Sequence, residues 1–271
     1  MKRTRHTSWP STVLAIIFLA IMIFPIYWMV NASFQSNSAA QSSTIFPIHP
    51  TLSGYRVALS QQGGNLVTSL IISLGTVVLS LAIATPAAYA LAKFRIKGTN
   101  VIMLALLITQ MIPGIVIANS LYTAFNNLHL LNNYFGLILA DASNCIPFSV
   151  ILISAFMRSI PDSLVEAARV DGAGDLRAFR SVVLPVSRNS VITAGLFSFL
   201  FTWSDFLFAL TLTSTTAVRP VTLGIYNYLS ANVQQWAPVM ATAVLASIPA
   251  MVLLLAAQKY IAAGALGGAI K

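Results

Sequence analysis

Six apolar runs divide the sequence, and each is long enough to cross a membrane as one helix. The runs cover roughly residues 12–34, 66–92, 100–121, 136–157, 189–212 and 237–260. A membrane span needs ~20 apolar residues and must satisfy its backbone hydrogen bonds internally, because the bilayer core holds no water. Only 8% of the residues are charged, against about 25% in soluble domains. The sequence therefore predicts an all-α membrane protein with six transmembrane helices, all in one transmembrane domain over residues 1–271.

The first run has an alternative interpretation as a signal peptide, because basic residues precede it and Val30-Asn31-Ala32 loosely resembles a cleavage site. However, the apolar stretch from Val13 to Val30 exceeds the ~7–15 residues of a signal-peptide core. The first run is therefore predicted to be an uncleaved membrane helix.

The basic residues indicate the orientation of the predicted bundle. If the N-terminus lies inside, every lysine and arginine except Arg56 and Arg219 falls in an inside segment. Lysine and arginine are retained on the cytoplasmic side, so both termini are predicted to be cytoplasmic. The net charge of +9 does not indicate nucleic-acid binding, because the basic residues lie between apolar runs rather than in a patch with interleaved aromatic residues.

A charged loop, residues 158–188, separates the fourth and fifth runs and is expected in the cytoplasm. It contains four of the six acidic residues of the chain. Ser163, followed by Glu166 three residues later, predicts a capping box at the start of a helix. Gly172 and Gly174 predict the end of that helix, since glycine accepts the left-handed backbone conformation found there.

A second short helix is expected after the glycines. Asp175 is the predicted cap of this helix, and Pro185 is the predicted end. Its apolar residues are expected on roughly one face: Leu176, Phe179, Val182 and Val183.

Two carboxylates, Asp141 and Asp205, fall in apolar surroundings. A charged group at membrane depth costs ~2.5–3.5 kcal/mol on insertion scales, so each should face the bundle interior or water. One interpretation is a polar pathway for solute, in which Trp203 offers an aromatic face to a sugar ring. The alternative is hydrogen bonding between helices or, for Asp141, exposure at the membrane interface. Weaker candidates for the pathway are Gln110, Asn119 and Asn144. No lysine or arginine lies at the centre of a span, which favours a neutral, hydroxyl-rich solute.

Catalytic and metal-binding motifs are absent from the sequence. It contains no phosphate-binding G-x-x-x-x-G-K-[S/T] pattern. The three histidines, His6, His49 and His129, are scattered, and the single cysteine, Cys145, lies in an apolar run where it is expected to pack. The chain is therefore not expected to be an enzyme, and ATP-driven transport would need an ATPase on another chain.

The charged loop contains a spaced pattern: Glu166-Ala167-Ala168, Gly172, Val182 and Leu184-Pro185. This pattern resembles the conserved cytoplasmic loop of ABC importer permeases, with Val182 in the place of an isoleucine. The run from Trp203 to Leu210 looks like the fifth-span signature of sugar-type permeases. The six spans, the short basic N-terminus and the glycine-rich end resemble the smaller permease of carbohydrate importers of the maltose type.

This resemblance implies the type I ABC importer permease fold in a prokaryotic cell membrane. It also implies a second permease subunit, two ATPase subunits (identical or different) that bind the ATP and Mg, and an extracellular solute-binding protein that delivers a sugar or oligosaccharide. No cofactor is expected in this chain. The implied ATPase contacts in the charged loop are Ser163, Glu166, Ala167, Ala168, Asp171, Gly172, Leu184 and Pro185. The implied contacts of a cytoplasmic tail, residues 261–271, are Gly264, Gly267, Gly268 and Lys271. The external loop Thr213 to Gln235 is implied to contact the binding protein.

Two other functions remain open at this point. The same permease type could carry another polar solute, such as a glycerol phosphodiester. Alternatively, the chain could work alone as a secondary transporter or channel. Many secondary transporters consist of two related halves, and no convincing internal repeat is present here. That alternative would also leave the charged loop without an explanation.

Overall fold

A computed structural model describes residues 9–36, 44–230 and 236–267. Regular structure in these residues is entirely helical. The elements are α1 Trp9–Ser33, α2 Ser53–Lys93, α3 Thr99–Thr109, α4 Gly114–Asn127, α5 Tyr134–Arg158, α6 Asp162–Val170, α7 Asp175–Ala178, a π-helical turn Phe179–Val183, α8 Leu184–Val186, α9 Arg188–Trp203, α10 Leu207–Leu212, α11 Val221–Ser230 and α12 Trp236–Gly267.

By length and composition, four of these helices (α1, α2, α5 and α12) are suited to cross a membrane. The number rises to six if each of two bent pairs counts as one span: α3 with α4, at 93°, and the α7–α8 segment with α9, at 76°. The six apolar runs are thus all helical, although two of them do not form straight rods. The predicted fifth span, residues 189–212, consists of α9 and α10 with a break at 204–206.

The prolines within the predicted spans differ in their effect on the helices. Pro25, Pro86 and Pro249 lie inside continuous helices, and so does Pro147. Pro113 instead lies at the break between α3 and α4, with an extended ψ of 131°. Three residues, 110–112, separate α3 from this proline, and their N–H groups donate to carbonyls three residues back instead of four. The chain therefore turns there rather than bending gently.

Helix α2 is longer than the sequence predicts. The apolar run that predicts this span covers roughly residues 66–92, whereas α2 begins at Ser53 and continues for 41 residues. It passes through Gly63 and Gly64, where a Cβ atom would meet nothing within 4 Å. The polar composition of residues 53–65 indicates only that this segment lies outside the apolar part of the bilayer. It does not exclude a helix, because a helix can continue into water when packing against neighbouring residues stabilises it.

The described residues form two compact units. The first unit comprises residues within 1–63 and 225–248. Most of α1 is exposed, as expected for a helix that faces lipid or another subunit, and only its last residues, Asn31–Ser33, are buried. The Ser33 hydroxyl lies 2.8 Å from the Tyr55 hydroxyl, and the Tyr228 hydroxyl donates to Gln61 Oε1 at 2.5 Å.

The second unit comprises residues within 64–224 and 249–271, and α5 forms its centre. Helices α3 and α9 pack on α5, and α10 packs on α4. One buried cluster includes Ile153 and Met157 of the second half of α5, and another includes Leu137 and Ala140 of its first half. Close approach depends on glycine at Gly136, where a Cβ atom would lie 2.1 Å from the Leu130 carbonyl oxygen.

Candidate functional site

Helix α6 begins two residues earlier than the predicted capping box requires. Pro161 occupies the cap position, with an extended ψ of 133°, and no side chain caps the helix. Ser163 is therefore the second residue of α6, and the predicted capping box is wrong. The proline has no N–H to satisfy, and the Asp162 carboxylate in the first turn interacts favourably with the helix dipole.

Glu166 therefore does not take part in capping its own helix. Its side chain is exposed, and it makes no hydrogen bond or ion pair with any residue in the described parts of the chain. It lines a polar recess of about 330 Å³ beside α6. The lining residues are Lys93, Phe94, Arg95, Asp162, Val165, Glu166 and Arg169. A carboxylate at the rim of such a recess is available to a residue from outside the chain.

The turn after α6 is a glycine-dependent helix end. Gly172 adopts φ +81°. Its N–H donates to the Arg169 carbonyl at 3.0 Å, and the Ala173 N–H donates to the Ala168 carbonyl at 2.9 Å. These two bonds define a Schellman motif, in which a left-handed residue reverses the chain and satisfies the last helical carbonyls. The predicted helix end at Gly172 is confirmed, whereas Gly174 has an ordinary extended conformation, with φ −69°.

An ion pair crosses this turn. Arg169 donates from Nε (3.2 Å) and Nη2 (2.8 Å) to Asp175 Oδ1. Both side chains are about half exposed, so the pair contributes at most ~1 kcal/mol. The bridge holds α6 and α7 together without burying either charge.

The helix that follows Asp175 differs from the prediction. Gly174 is the cap, and Asp175 is the first helical residue, without a side-chain cap bond. A π-helical turn then shifts the side-chain positions, so that Val183 is fully buried while Leu176 is 61% exposed. The predicted apolar face is therefore wrong at Leu176, because the extra residue per turn breaks the 3.6-residue period. The segment ends at Val186, one residue past Pro185.

The charged loop exposes apolar side chains on its outer surface. Val170, the last residue of α6, is 88% exposed, and Leu164 and Leu176 are also exposed. By contrast, Val165 and Ala178 are buried in the core cluster beneath the loop. Exposed apolar residues among charged ones are a common sign of a protein interface. The sequence pattern did not identify Val170 because it lies outside the spaced motif.

A polar cleft of about 290 Å³ lies at the two helix breaks of the second unit. Its lining residues are Gln110, Ile112, Gly114, Asp141, Asn144, Cys145, Phe201, Asp205 and Phe208. Four of the six predicted pathway residues are therefore brought together. On α5, the cleft residues Asp141 and Asn144 lie between the positions that contribute to the two core clusters.

The two carboxyl groups of the cleft have different surroundings. Asp205 accepts hydrogen bonds from the N–H groups of Phe208 (3.3 Å) and Ala209 (3.0 Å) and so caps α10. Asp141 is 5% exposed, and its carboxyl group has no hydrogen bond or ion pair within the described parts of the chain. The Asp141 carboxyl group is therefore available to accept a hydrogen bond from a solute, whereas the Asp205 carboxyl group also caps α10.

The amide groups of the cleft link its walls. Gln110 follows α3 at the break before Pro113 and donates from Nε2 to the Asn144 carbonyl at 3.1 Å. This bond fixes the broken third span against α5. The cleft thus presents amide donors and carboxyl acceptors, and no lysine or arginine is among its lining residues.

Trp203 and Asn119 do not line the cleft. Trp203 is buried and stacks on Phe199, with ring centroids 5.4 Å apart and planes 13° apart. Asn119 is exposed on α4. The aromatic side chains at the cleft are Phe201 and Phe208 instead. The sequence pattern did not indicate this, because α9 ends at Trp203 and the break at residues 204–206 separates Phe201 from Asp205.

Asn132 organises the turn beside the predicted external loop, and the sequence analysis did not identify it. It adopts φ +55°, and its Oδ1 accepts from the N–H groups of Ser214 (2.7 Å) and Thr215 (3.0 Å). Its own N–H donates to the Leu212 carbonyl at 3.0 Å. The first part of the Thr213 to Gln235 loop is therefore held in place by one side chain, and residues 231–235 lie outside the described residues.

The predicted tail is partly helical. Helix α12 continues to Gly267, so Gly264 and Gly267 belong to it, and Gly268 and Lys271 lie outside the described residues. Within the described residues, no group of three or more His, Cys, Asp or Glu is suited to hold a metal ion.

Broken membrane helices around a polar cleft, together with a motif-bearing charged loop, define a transport subunit. The chain belongs to the family described as "Binding-protein-dependent transport system inner membrane component", whose sequence profile matches residues 81–266. It is a permease subunit of an ABC importer, located in the inner membrane, and ATP hydrolysis belongs to a separate subunit. The importer also includes a partner permease and a solute-binding protein. The predicted class of protein is thereby confirmed.

Two curated relatives align with this chain over nearly its whole length. The trehalose transport system permease protein SugB of Mycobacterium tuberculosis is 30% identical over 275 residues, which cover 100% of both chains. The galactooligosaccharides transport system permease protein GanQ of Bacillus subtilis is 30% identical over 278 residues, which cover 100% of this chain and 98% of the relative.

A solved structure shares the fold. The crystal structure of a bacterial ABC transporter that imports the acidic polysaccharide alginate contains a chain that superposes with a TM-score of 0.80. The two chains are 26% identical, and the match covers 92% of this chain and 94% of the other. The importer permease fold is thereby confirmed.

Proposed function

We propose that this permease takes up a sugar or oligosaccharide delivered by an external binding protein. The chain works beside a second permease subunit. Two ATPase subunits bind the ATP and Mg and drive transport through the charged loop. The observation that carries the substrate class is the composition of the cleft. Asp141 and Asp205 supply acceptors, Gln110 and Asn144 lie beside them, and Phe201 adds an apolar surface. Hydroxyl groups can donate to such acceptors, and aromatic rings pack on sugar faces.

The cleft argues against a glycerol phosphodiester. A phosphodiester is anionic, and a buried anion needs a compensating cation or donor set to offset its lost hydration. No lysine or arginine lines the cleft in this chain. The relatives named for trehalose and galactooligosaccharide transport support the same choice.

The substrate class can be tested on the cognate binding protein by thermal unfolding with a panel of solutes. A ligand that binds only the folded state stabilises it, by ~2.7 kcal/mol at a ligand concentration 100-fold above Kd. This stabilisation raises the unfolding temperature. We expect stabilisation by one or more di- or oligosaccharides, followed by ATP-dependent uptake of the same sugar by the complete transporter. Stabilisation by glycerol phosphodiesters but by no sugar would contradict the proposal.

The charged loop is proposed as the ATPase docking site, with both termini and the loop in the cytoplasm. Three features support this: the unpaired Glu166 carboxylate, the exposed Val170 and Leu176 side chains, and the polar recess beside α6. The orientation is supported by the distribution of lysine and arginine. A partner surface can cover the apolar residues and provide a donor for the carboxylate.

Labelling of a Glu166→Cys variant tests docking and orientation together. We expect a membrane-impermeant maleimide to react with it in inside-out vesicles, and bound ATPase subunits to slow the reaction. The native Cys145 is buried and should contribute little background. Thr216→Cys, which is exposed in the opposite predicted loop, serves as the matched control and should react only in right-side-out vesicles. Reaction of Glu166→Cys from the outside, or no protection by the ATPase, would contradict this assignment.

A further inference from the structure

Lys93, the last residue of α2, has its side chain almost completely buried at the base of the charged loop. The side chain is 4% exposed. Its ammonium group donates to the Ile160 carbonyl oxygen and, at 2.7 Å, to Asp162 Oδ1. A buried ammonium needs paired acceptors to offset its lost hydration. Ile160 lies in the short connection between α5 and α6, and Asp162 is the first residue of α6, so the lysine holds the start of α6 against the end of α2.

Apolar packing reinforces this junction. Ala88 and Tyr89 of α2 belong to the same buried cluster as Val165 of α6 and Val183 of the π-helical turn. The Tyr89 ring lies 5.0 Å from the Phe179 ring. Both arms of the charged loop therefore rest on the last turns of α2, in addition to their covalent attachment to α5 and α9.

The ion pair is also electrostatically persistent. The hydrogen bond from Lys93 and its positive charge, with a smaller contribution from Arg95, lower the pKa of Asp162 below its usual value. The contact is therefore present at neutral pH and is lost only as the pH falls through that lowered pKa. It remains in place throughout the pH range in which the transporter would work.

We propose that Lys93 is a positioning residue that couples the charged loop to α2, so that displacement of α6 by the ATPase also moves the second span. This inference rests on the proposed function of the loop. Along the chain, the loop is attached only to the fourth and fifth spans. The Lys93 contacts add a third connection, to the last turn of a continuous helix of 41 residues, so that a displacement of α6 is passed to the end of the second span.

The test uses the complete transporter, reconstituted with its partner permease, ATPase subunits and binding protein. The quantity measured is the number of ATP molecules hydrolysed per solute imported. Lys93→Met is expected to raise this ratio by about fivefold, the low end of typical coupling factors between distant sites. Lys93→Arg keeps a donor with positive charge and should retain most of the coupling. Asp162→Ala removes only the exposed partner and should raise the ratio about twofold.

Lys97→Met is the matched control for loss of a positive charge. Lys97 is exposed in the turn after α2 and has no hydrogen bond or ion pair within the described residues, so its replacement should leave the ratio unchanged. An unchanged ratio in an assembled Lys93→Met transporter would overturn the inference. If the Lys93→Met transporter does not assemble, the Asp162→Ala transporter provides the test. An unchanged ratio of ATP hydrolysed to solute imported in that variant would also overturn the inference. Failure of the wild-type complex to couple ATP hydrolysis to uptake would instead contradict the proposed function.

Discussion

Replacement of Gly172 by valine is expected to lower ATP-driven uptake about 5- to 30-fold while the subunit still enters the membrane. The φ of +81° at this position costs a residue with a side chain ~1–2 kcal/mol, and a β-branched residue at least that much. A shift of ~1–2 kcal/mol changes an equilibrium about 5- to 30-fold. The new side chain has free space, because a Cβ atom meets nothing within 4 Å. The expected defect is therefore in the angle between α6 and α7 and not in packing.

Two substitutions serve as controls for this prediction. Gly172→Asn should retain most uptake, since asparagine accepts the left-handed conformation better than other residues with a side chain. Gly174→Ala should be close to wild type, because Gly174 has φ −69° and open space around it. Equal uptake by the valine and asparagine variants would show that the Schellman turn does not set the coupling geometry.

Replacement of Asp141 by leucine is expected to reduce uptake about tenfold without loss of thermal stability. The carboxyl group is almost fully buried and has no partner in the described parts of the chain, so the folded protein gains no bond from it. A passing solute that donates to it would lose a hydrogen bond of ~1.5 kcal/mol, which corresponds to about tenfold. Asp141→Asn keeps one acceptor oxygen and should show a smaller loss. Transport rates and unfolding temperatures in detergent provide the measurement.

Asp205→Ala is the contrasting variant, because Asp205 lines the same cleft but caps α10. Loss of a helix cap lowers stability by ~0.5–2 kcal/mol, so this variant should unfold at a lower temperature than wild type. If Asp141→Leu also lowers the unfolding temperature, Asp141 is a structural residue. Normal uptake by Asp141→Leu would remove it from the solute pathway.

Much of the charged loop could be predicted from local sequence, and the errors have local causes. The hinge at Gly172 was predictable because glycine is the residue that a left-handed helix end selects. The capping box was not predictable, because Pro161 provides an equally good helix start two residues before Ser163. Leu176 was assigned to the wrong face because a π-helical turn has no reliable signature in the sequence.

The polar cleft shows a different limit. Asp141 and Asp205 were predicted to line a polar pathway because carboxyl groups are rare in membrane spans. Their different roles depend on which N–H groups lie nearby, and those are set by the break at residues 204–206. Trp203 was predicted to line the pathway from its residue type, whereas the helix rotation places Trp203 on Phe199 and Phe201 at the cleft.

The sequence by itself determined the membrane class, the six apolar helical segments and the charged loop with its glycine hinge. These follow from composition, from the length of a bilayer and from backbone preferences of single residues, which all act locally. Only the tertiary structure decided that Asp141 and Asp205 share one cleft, that Asn132 holds the loop at residues 213–215, and that Lys93 supports the start of α6. Each of these contacts joins residues far apart in the chain, and it forms because the helices pack at particular angles around α5, which the sequence pattern does not specify.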